Sequence, residues 1–253
     1  MRNNKIFFNT NSLLPAFTQQ FNTNFVYKLK LHDKAIRLQK ELGLGENLVI
    51  LLGVSGGGRD TVLEECLNLI SLSERIRRVS TRKTRDDLEK SERMIFLDKK
   101  IFKKKFKTKD ILFAGCYHVN NQLYGISYEE IARIKNERFF YFIENTLIGL
   151  SLKKLFPKSR LIIIIPPSFK FLKNRLLIRN DKDFLRRFEN SCLEIKSIIL
   201  NIEEMMERHI VDLAFVNINS KKTARKIAEF LNNPERVDKL KKEFLEQIKN
   251  YEQ

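Results

Sequence analysis

The stretch from Asn47 to Leu67 constrains the fold of this chain more than any other. An apolar run, Leu48 to Leu52, leads into the segment GVSGGGRDT at positions 53 to 61, and the residues that follow have helical spacing. A strand, a glycine-rich turn and the start of a helix are the context that a phosphate-binding loop requires. Glycines let backbone N–H groups close around an anion, and the helix N-terminus adds partial positive charge. The stretch therefore predicts a P-loop after the first strand of an α/β domain.

The loop differs from the common P-loop pattern G-x-x-x-x-G-K-[ST] at two positions. Arg59 stands at the lysine position and Asp60 at the hydroxyl position, with Thr61 one place later. A guanidinium is planar and forked, so it does not simply replace the compact ammonium group of lysine. A carboxylate at Asp60 would repel phosphate if it pointed inward, whereas pointing outward it is stabilised by the helix N-terminus. We expect Thr61 to supply the hydroxyl for Mg²⁺.

Length and composition predict a soluble globular protein with one main domain. The chain has 253 residues, of which 43% are hydrophobic and 31% charged, values typical of a folded domain with a substantial core. The net charge of +17 suits acidic partners such as nucleotides, RNA or anionic surfaces, although a lysine-rich amino-acid usage explains it equally well. Cys66, Cys116 and Cys192 form no C-x-x-C pair, which favours a reducing compartment without disulfides or zinc. No apolar run is long enough to span a bilayer, and we expect a cytoplasmic protein.

Strand and helix signals alternate along the chain. Strands are predicted at Leu48–Leu52, Arg77–Arg82, Met94–Leu97, Ile111–Val119, Arg138–Ile143, within Leu161–Pro167 and at Leu213–Asn217. Helices are predicted after the loop, after Asp98, from Ser127, between Ser168 and His209, and from Lys221 to Tyr251 with a break at Asn233 and Pro234. This alternation, with no internal repeat, predicts a doubly wound parallel sheet. We divide the chain into an N-terminal extension with a short helix (1–46), one main domain (47–232) and a C-terminal amphipathic helix (233–253).

Five short segments after the loop follow one another in an informative order. They are Ser80-Thr81-Arg82-Lys83-Thr84-Arg85, then Tyr124-Gly125-Ile126-Ser127, then Ile165-Pro166-Pro167-Ser168, then Arg175, Arg179, Arg186 and Arg187, and finally Phe215-Val216-Asn217. With the P-loop, this order resembles the guanylate kinase family over about residues 47 to 232. The resemblance implies a P-loop NTPase-type doubly wound sheet with a small NMP-binding insertion and a helical lid.

The resemblance also implies a role for each matching residue. For ATP binding they are Gly53, Ser55, Gly56, Gly58, Arg59, Asp60, Thr61 and Asn217, with Asn217 beside the adenine. For the acceptor phosphate they are Ser80, Arg82, Arg85 and Tyr124. The implied catalytic residues are Arg59, Arg82, Arg179 and Arg187. Phosphoryl transfer depends on positioning and positive charge, which these arginines supply, and Mg²⁺ would enter with ATP and meet Thr61.

The guanine-reading positions of the family are not retained here. They hold Leu88, Met94, His118 and Ile126, and a further acidic position holds Asn145 with Glu144 beside it. Guanine presents N–H donors, and a hydrogen bond from such a donor to a carboxylate contributes about 1.5–3 kcal/mol. Selective GMP binding is therefore not expected unless Glu89 or Glu92 substitutes through a shifted loop.

Three functions remain open from the sequence. The first is ATP-dependent phosphoryl transfer to a (deoxy)nucleoside monophosphate or related phosphate ester. The second is a catalytically weak or inactive domain of the same family that binds a phosphorylated ligand or a protein. The third is RNA binding through the lysine-rich segment 99 to 109, which rests on charge alone because no aromatic stacking platform accompanies it. We expect neither DNA nor a membrane as partner.

Overall fold

A central parallel sheet and a smaller second sheet organise the chain. The computed structural model describes residues 37, 40–43, 45–84, 93–117, 122–135, 138–144, 149–178, 184–249 and 251. The strands are β1 (Leu48–Gly53), β2 (Ser73–Arg75), β3 (Arg78–Ser80), β4 (Met94–Phe96), β5 (Ile111–Tyr117), β6 (Gln122–Ser127), β7 (Phe140–Glu144), β8 (Arg160–Ile165) and β9 (Leu213–Val216). The helices are α1 (Arg59–Leu69), α2 (Lys99–Lys107), α3 (Tyr128–Ala132), α4 (Gly149–Leu155), α5 (Phe169–Ile178), α6 (Phe184–Glu207), α7 (Ser220–Asn232) and α8 (Val237–Lys249). Short 3₁₀ turns lie at Arg133–Lys135 and Pro234–Arg236.

The central sheet has the strand order β2-β7-β1-β8-β9, and every pair in it is parallel. Strand β1 lies in the middle, where Ile50 aligns with Ile143 of β7 and with Leu161 of β8. Parallel neighbours need crossover connections, and helices supply them on both faces. The carboxyl ends of all five strands therefore meet along one edge, which is where the glycine-rich loop begins.

Helices cover both faces of this sheet and explain its continuous apolar strands. Alternate residues of β1 point to opposite sides, so Ile50 joins one core cluster while Val49 and Leu51 join the other. The first cluster includes residues of α4, α5, α6 and α8, and the second includes residues of α1 and α7. A strand buried on both faces cannot alternate polar and apolar residues, which is why β1 and β8 read as unbroken apolar runs.

The second sheet has the order β4-β3-β6-β5 and carries the lysine-rich helix α2. Asp98 caps α2 because its Oδ1 accepts the backbone N–H of Lys100 at 2.6 Å. Phe102 is buried against Val79 and Ile111, whereas the lysines of α2 remain largely outside this small core. The sheet lies between β2 and α3 in the chain order, so it forms an insertion on the main sheet.

The predicted fold class is confirmed, and so are the seven predicted strands within their ends. The strands β2 and β6 and the helix α4 were not predicted from the sequence. Strand β2 has the polar sequence Ser-Glu-Arg and pairs only with β7, so no apolar pattern marks it. Strand β6 contains Gly125, which lowers intrinsic strand propensity, and its pairing with β5 and β3 overrides that preference.

The C-terminal helix packs into the body of the domain. Phe244 is 1% exposed within the first core cluster, and Leu240 lies in the second. Tyr251, beyond the helix, donates its hydroxyl to the carbonyl of Pro166 at 2.7 Å, next to the end of β8. Among the residues that the structure describes, no helix has the length and apolar character needed to cross a membrane.

The burial of Phe244 predicts a large effect on stability. Phe244→Ala removes a ring from a packed core and should lower the free energy of unfolding by about 3–5 kcal/mol. The half-exposed Leu72 serves as control, because Leu72→Ala should change it by no more than about 0.5 kcal/mol. Urea unfolding followed by circular dichroism measures both. If Phe244→Ala lowers the free energy of unfolding no more than Leu72→Ala does, Phe244 does not contribute to the core as proposed.

Candidate functional site

The glycine-rich loop connects the carboxyl end of β1 to α1, and its shape requires glycine at two positions. Gly53 has φ 147°, and a Cβ placed there would lie 2.1 Å from the carbonyl oxygen of Ile164 on β8. Gly58 has φ 88°, and its Cβ would lie 2.4 Å from Nδ2 of Asn217. Any other residue at these positions would collide with the neighbouring backbone or amide while adopting an unfavourable φ.

Three side chains from distant parts of the chain hold the carbonyl groups of the loop. Ser191 Oγ donates to the carbonyl of Ser55 at 3.3 Å, and Arg175 Nη1 donates to that of Gly56 at 3.3 Å. Asn217 Nδ2 donates to the carbonyl of Gly57 at 3.0 Å. In a trans peptide the N–H points opposite to the carbonyl, so the amides of Gly56 and Gly58 face away from these supports. The loop therefore presents backbone donors on its other side.

The start of α1 adds to this positive character. Gly58 is the N-cap of α1 and contributes no side-chain hydrogen bond, although its carbonyl accepts the N–H of Val62 at 3.0 Å. Without a side-chain cap, the first N–H groups of the helix can bind an external anion. Arg59 begins the helix, and its Cδ lies 3.3 Å from the position that a Cβ on Gly53 would occupy. Its side chain therefore folds back over the end of β1.

Glu194 on α6 has an altered acidity and is influenced by the charge of Arg59. Burial raises the pKa of Glu194 to about 7, and the Arg59 guanidinium opposes that rise. Ser191 lies one helical turn earlier and contacts the loop carbonyl described above. Helix α6 thus places a carboxyl group that titrates near neutral pH beside the cation of the loop.

Asp60 belongs to a cluster of three carboxylates and three arginines between the two sheets. Glu64 Oε1 accepts from Arg75 Nη2 at 2.6 Å and from Arg93 Nε at 3.1 Å. Glu144 Oε1 accepts from Arg78 Nη2 and lies 3.6 Å from Arg75 Nη1, and Glu144 itself is 3% exposed.

The pKa values of Asp60 and Arg78 are both shifted by this environment. Burial acts to raise the pKa of Asp60, but Arg78, Arg59, Arg75 and Arg93 together bring it below its ordinary value. The pKa of Arg78 falls to about 10, mainly because this guanidinium is buried, while the charge of Asp60 opposes the fall. Asp60 is therefore ionised at neutral pH, and the charges of these four arginines stabilise its carboxylate.

The residues expected at the acceptor phosphate are only partly brought together. Ser80 on β3 is fully buried, aligns with Tyr124 of β6, and accepts the backbone N–H of Arg82 at 3.2 Å. The Arg82 side chain lies along β4, with Nη2 3.2 Å from Met94 Sδ and its guanidinium 5.3 Å from the Phe96 ring centroid. The Tyr124 hydroxyl donates to Gln122 Oε1 at 3.3 Å.

The other expected site residues differ in burial, and some lie outside the described residues. Asn217 is fully buried below the loop, where its Oδ1 accepts the hydroxyl of Thr223 at 3.3 Å and its Nδ2 supports Gly57. Thr61 is exposed on the first turn of α1, and Arg187 is half-buried on α6. Outside the described residues lie the expected site residues Arg85 and Arg179, the positions Leu88, His118 and Asn145, and the possible substitutes Glu89 and Glu92.

Much of the charge here comes from residues that no sequence motif marked. Arg75 and Arg78 flank the turn between β2 and β3, and Glu64 lies one turn after Asp60 on α1. The run Arg75 to Arg82 is rich in arginine, and this signal was available in the sequence. No spacing pattern linked Glu194 to Arg59, because the two residues come together only through the packing of α6.

A divalent cation at this site would depend on oxygen atoms that the nucleotide brings. Among the described residues, no group of three or more His, Cys, Asp or Glu side chains has a geometry suited to a metal ion. Mg²⁺ prefers oxygen ligands and keeps several waters, so phosphates, water and one hydroxyl such as that of Thr61 fit its chemistry. Asp60 is engaged by arginines and would not be its main ligand.

The chain is similar in sequence and in fold to guanylate kinases. The chain is 27% identical over 160 residues to the guanylate kinase of Clostridium tetani (strain Massachusetts / E88), covering 60% of this chain and 73% of that protein. It is 27% identical over 196 residues to the guanylate kinase of Prochlorococcus marinus (strain MIT 9312), covering 74% and 97%. The crystal structure of guanylate kinase from Anaplasma phagocytophilum superimposes with a TM-score of 0.56 at 18% identity, over 74% of this chain and 85% of that one. No family model matches the sequence.

The environment of Asp60 predicts a pH-dependent contribution to stability. A carboxylate with a lowered pKa stabilises the fold above its ordinary pKa of 3.8 and loses that effect as pH falls through its folded value. Asp60→Asn should therefore lower the free energy of unfolding at pH 7 by roughly 1–3 kcal/mol and by less at pH 3, where the contribution of the carboxylate is already declining. The exposed Asp238 provides the control Asp238→Asn. A deficit of equal size at both pH values would contradict the prediction.

Proposed function

We propose that this chain is a divergent member of the guanylate kinase family and that it transfers the γ-phosphate of ATP to a (deoxy)nucleoside monophosphate. The observation that carries the proposal is the braced loop between β1 and α1. Its carbonyl groups are held by Ser191, Arg175 and Asn217, and we infer that the amides of Gly56 and Gly58 bind phosphate oxygens. Backbone donors fixed in advance need no reorganisation when charge develops in the transition state.

On the donor side, the triphosphate would lie along the loop with Arg59 beside it. Arg59 begins α1 and folds over the end of β1, where a guanidinium can reach the β- and γ-phosphate oxygens. It would act as a forked donor rather than as the point charge of a lysine. Arg187 on α6, and Arg179 before it, would add charge from the lid, and bound Mg²⁺ would neutralise part of the phosphate charge.

On the acceptor side, Arg78 and Tyr124 line the cleft between the two sheets. Tyr124 lies opposite Ser80, and Arg78 is held by Glu144 at the carboxyl end of β7. Ligands in open α/β sheets bind at this edge, outside the strand ends. We propose that the acceptor phosphate binds near Tyr124, with Arg82 and Arg85 as further phosphate ligands.

The acceptor base would meet a pocket different from that implied by the family pattern. Met94 and Ile126 have apolar side chains and are buried. Neither therefore contributes a polar group to a base. Both ion pairs of Glu144 use Oε1, which leaves Oε2 for a donor such as a ring N–H. A purine or pyrimidine with an N–H donor on its edge is the acceptor class that this carboxylate favours.

A second candidate function is a phosphate-ester-binding module with little or no turnover. The observation that favours it is the carboxyl group of Glu194 beside Arg59. When ionised, Glu194 offsets part of the positive charge that a transferring phosphoryl group requires. Binding through backbone amides would survive this loss better than catalysis would.

Turnover tests the first proposal through Arg59. Arg59→Ala should lower kcat by about 10²–10³-fold, because it removes a donor to the transferring group, whereas Arg59→Lys should retain or raise kcat. Arg208→Ala is the matched control, since Arg208 is exposed and pairs with Glu204 at the end of α6. The assay follows ADP release with ATP, Mg²⁺ and each of GMP, dGMP, AMP, CMP and UMP. No release with any acceptor, for the native chain and for Arg59→Lys, would contradict kinase activity.

Thermal unfolding separates the two candidates. A ligand that binds the folded state raises the melting temperature, so Mg²⁺-ATP at millimolar concentration should stabilise the chain under either function. Stabilisation without turnover would support the binding module. A melting temperature unchanged by Mg²⁺-ATP would reject both.

The position of Glu194 predicts a pH dependence of ATP binding. Bound phosphates favour the protonated carboxyl, so affinity for Mg²⁺-ATP should fall as pH rises through about 7, by up to about tenfold per pH unit. Glu194→Gln cannot ionise and should bind with a flatter pH profile and higher affinity at pH 8. Isothermal titration calorimetry from pH 6 to 8.5 measures both, and the shared titration of ATP cancels in the comparison. Parallel profiles for the two proteins would contradict the prediction.

A further inference from the structure

Helix α6 carries an exposed stripe that its own chain leaves uncovered. The stripe consists of Leu185, Glu189, Leu193, Lys196 and Leu200, and all five residues are exposed. The leucines are 70%, 51% and 82% exposed respectively. At 100° per residue the five positions fall within an arc of about 80° and extend over about 22 Å of helix. Isolated exposed leucines are ordinary, but three on one narrow stripe are not.

The opposite face of α6 accounts for the attachment of the helix to its domain. Ile195, Ile198, Ile202 and Met205 are buried in the first core cluster. The stripe therefore faces away from the core. Within the described part of the chain, neither Glu189 nor Lys196 forms an ion pair.

The order of residues in the stripe is self-complementary. Its spacing is four, four, three and four residues, which is the spacing of a helix seam that packs against another helix. The order Leu-Glu-Leu-Lys-Leu, placed antiparallel to a second copy of itself, sets leucine against leucine and glutamate against lysine. Leu185 then meets Leu200 of the second copy, Glu189 meets Lys196, and the two Leu193 side chains meet near the axis. A parallel arrangement would oppose like charges at both charged positions.

We propose that α6 forms the interface of a symmetric homodimer in which the two helices pack antiparallel. A twofold axis near Leu193 creates two equivalent Glu189–Lys196 pairs, as an isologous interface requires. The leucines supply the apolar contact, and the charges select the antiparallel orientation over the parallel one. The same helix carries Ser191 and Glu194 toward the glycine-rich loop, so the dimer would join the two loop-supporting helices back to back.

Charge reversal tests the interface without altering the core. Glu189→Lys alone creates two Lys–Lys contacts in the dimer, and Lys196→Glu alone creates two Glu–Glu contacts. Each should weaken dimerisation by at least about tenfold. The double variant Glu189→Lys, Lys196→Glu should restore it. Mixing the two single variants should also restore it, since each then supplies the charge that the other lacks.

Sedimentation velocity of the full chain across a concentration series gives the outcome. The native chain should sediment as two copies of 30.0 kDa, and Leu193→Asp should sediment as one. Leu72→Asp is the matched control at another half-exposed leucine and should remain dimeric. A native chain that is monomeric at every concentration would overturn the proposal. A dimer that persists in Leu193→Asp and in both single charge variants would overturn it too.

Discussion

The support of the loop carbonyls by Asn217, Arg175 and Ser191 is the interaction on which the rest of the site depends. A glycine-rich segment has high conformational entropy when unfolded and few contacts of its own to hold it. Here each of three consecutive carbonyls accepts a hydrogen bond from a different element: the end of β9, helix α5 and helix α6. Because amide and carbonyl directions are coupled, fixing the carbonyls outside the loop also orients the amides that face the cleft.

The compensation of charge around Asp60 follows from this arrangement. A carboxylate in the first turn of α1 lies close to where phosphate would bind, and an unpartnered one would weaken anion binding. The arginines Arg75, Arg78 and Arg93 surround the acids of the cleft, and the pKa of Asp60 is lowered as a result. A burial penalty remains, since removing several charges from water is costly even when they are paired. The cluster therefore joins the two sheets electrostatically while keeping the carboxylates from opposing a phosphate ligand.

Arg59 and Glu194 form a second set of opposing charges, on the other side of the loop. In the common motif a lysine meets the phosphates with little competition, whereas here a guanidinium has a carboxyl neighbour whose pKa is about 7. Protonated, Glu194 leaves the charge of Arg59 to a ligand; ionised, it competes for that charge. The strength of the proposed donor site would thus depend on the protonation of a residue 135 positions away in sequence, on the helix that also carries the exposed leucine stripe.

The sequence by itself determined the class of fold, the position of the loop and the order of most strands and helices, but not the presence of β2, β6 and α4. These features depend on local properties: apolar runs for β1 and β8, glycines at Gly53 and Gly58, and the capping residues Asp98 and Ser127. Tertiary structure alone decided the role of Asn217 as a buried support and the position of the Arg82 side chain along β4. It also decided that arginine charges act on Asp60 and that the charge of Arg59 acts on Glu194. Those outcomes depend on which strand ends and helix faces come together across long sequence separations, and side-chain direction there is set by neighbours that no local pattern specifies.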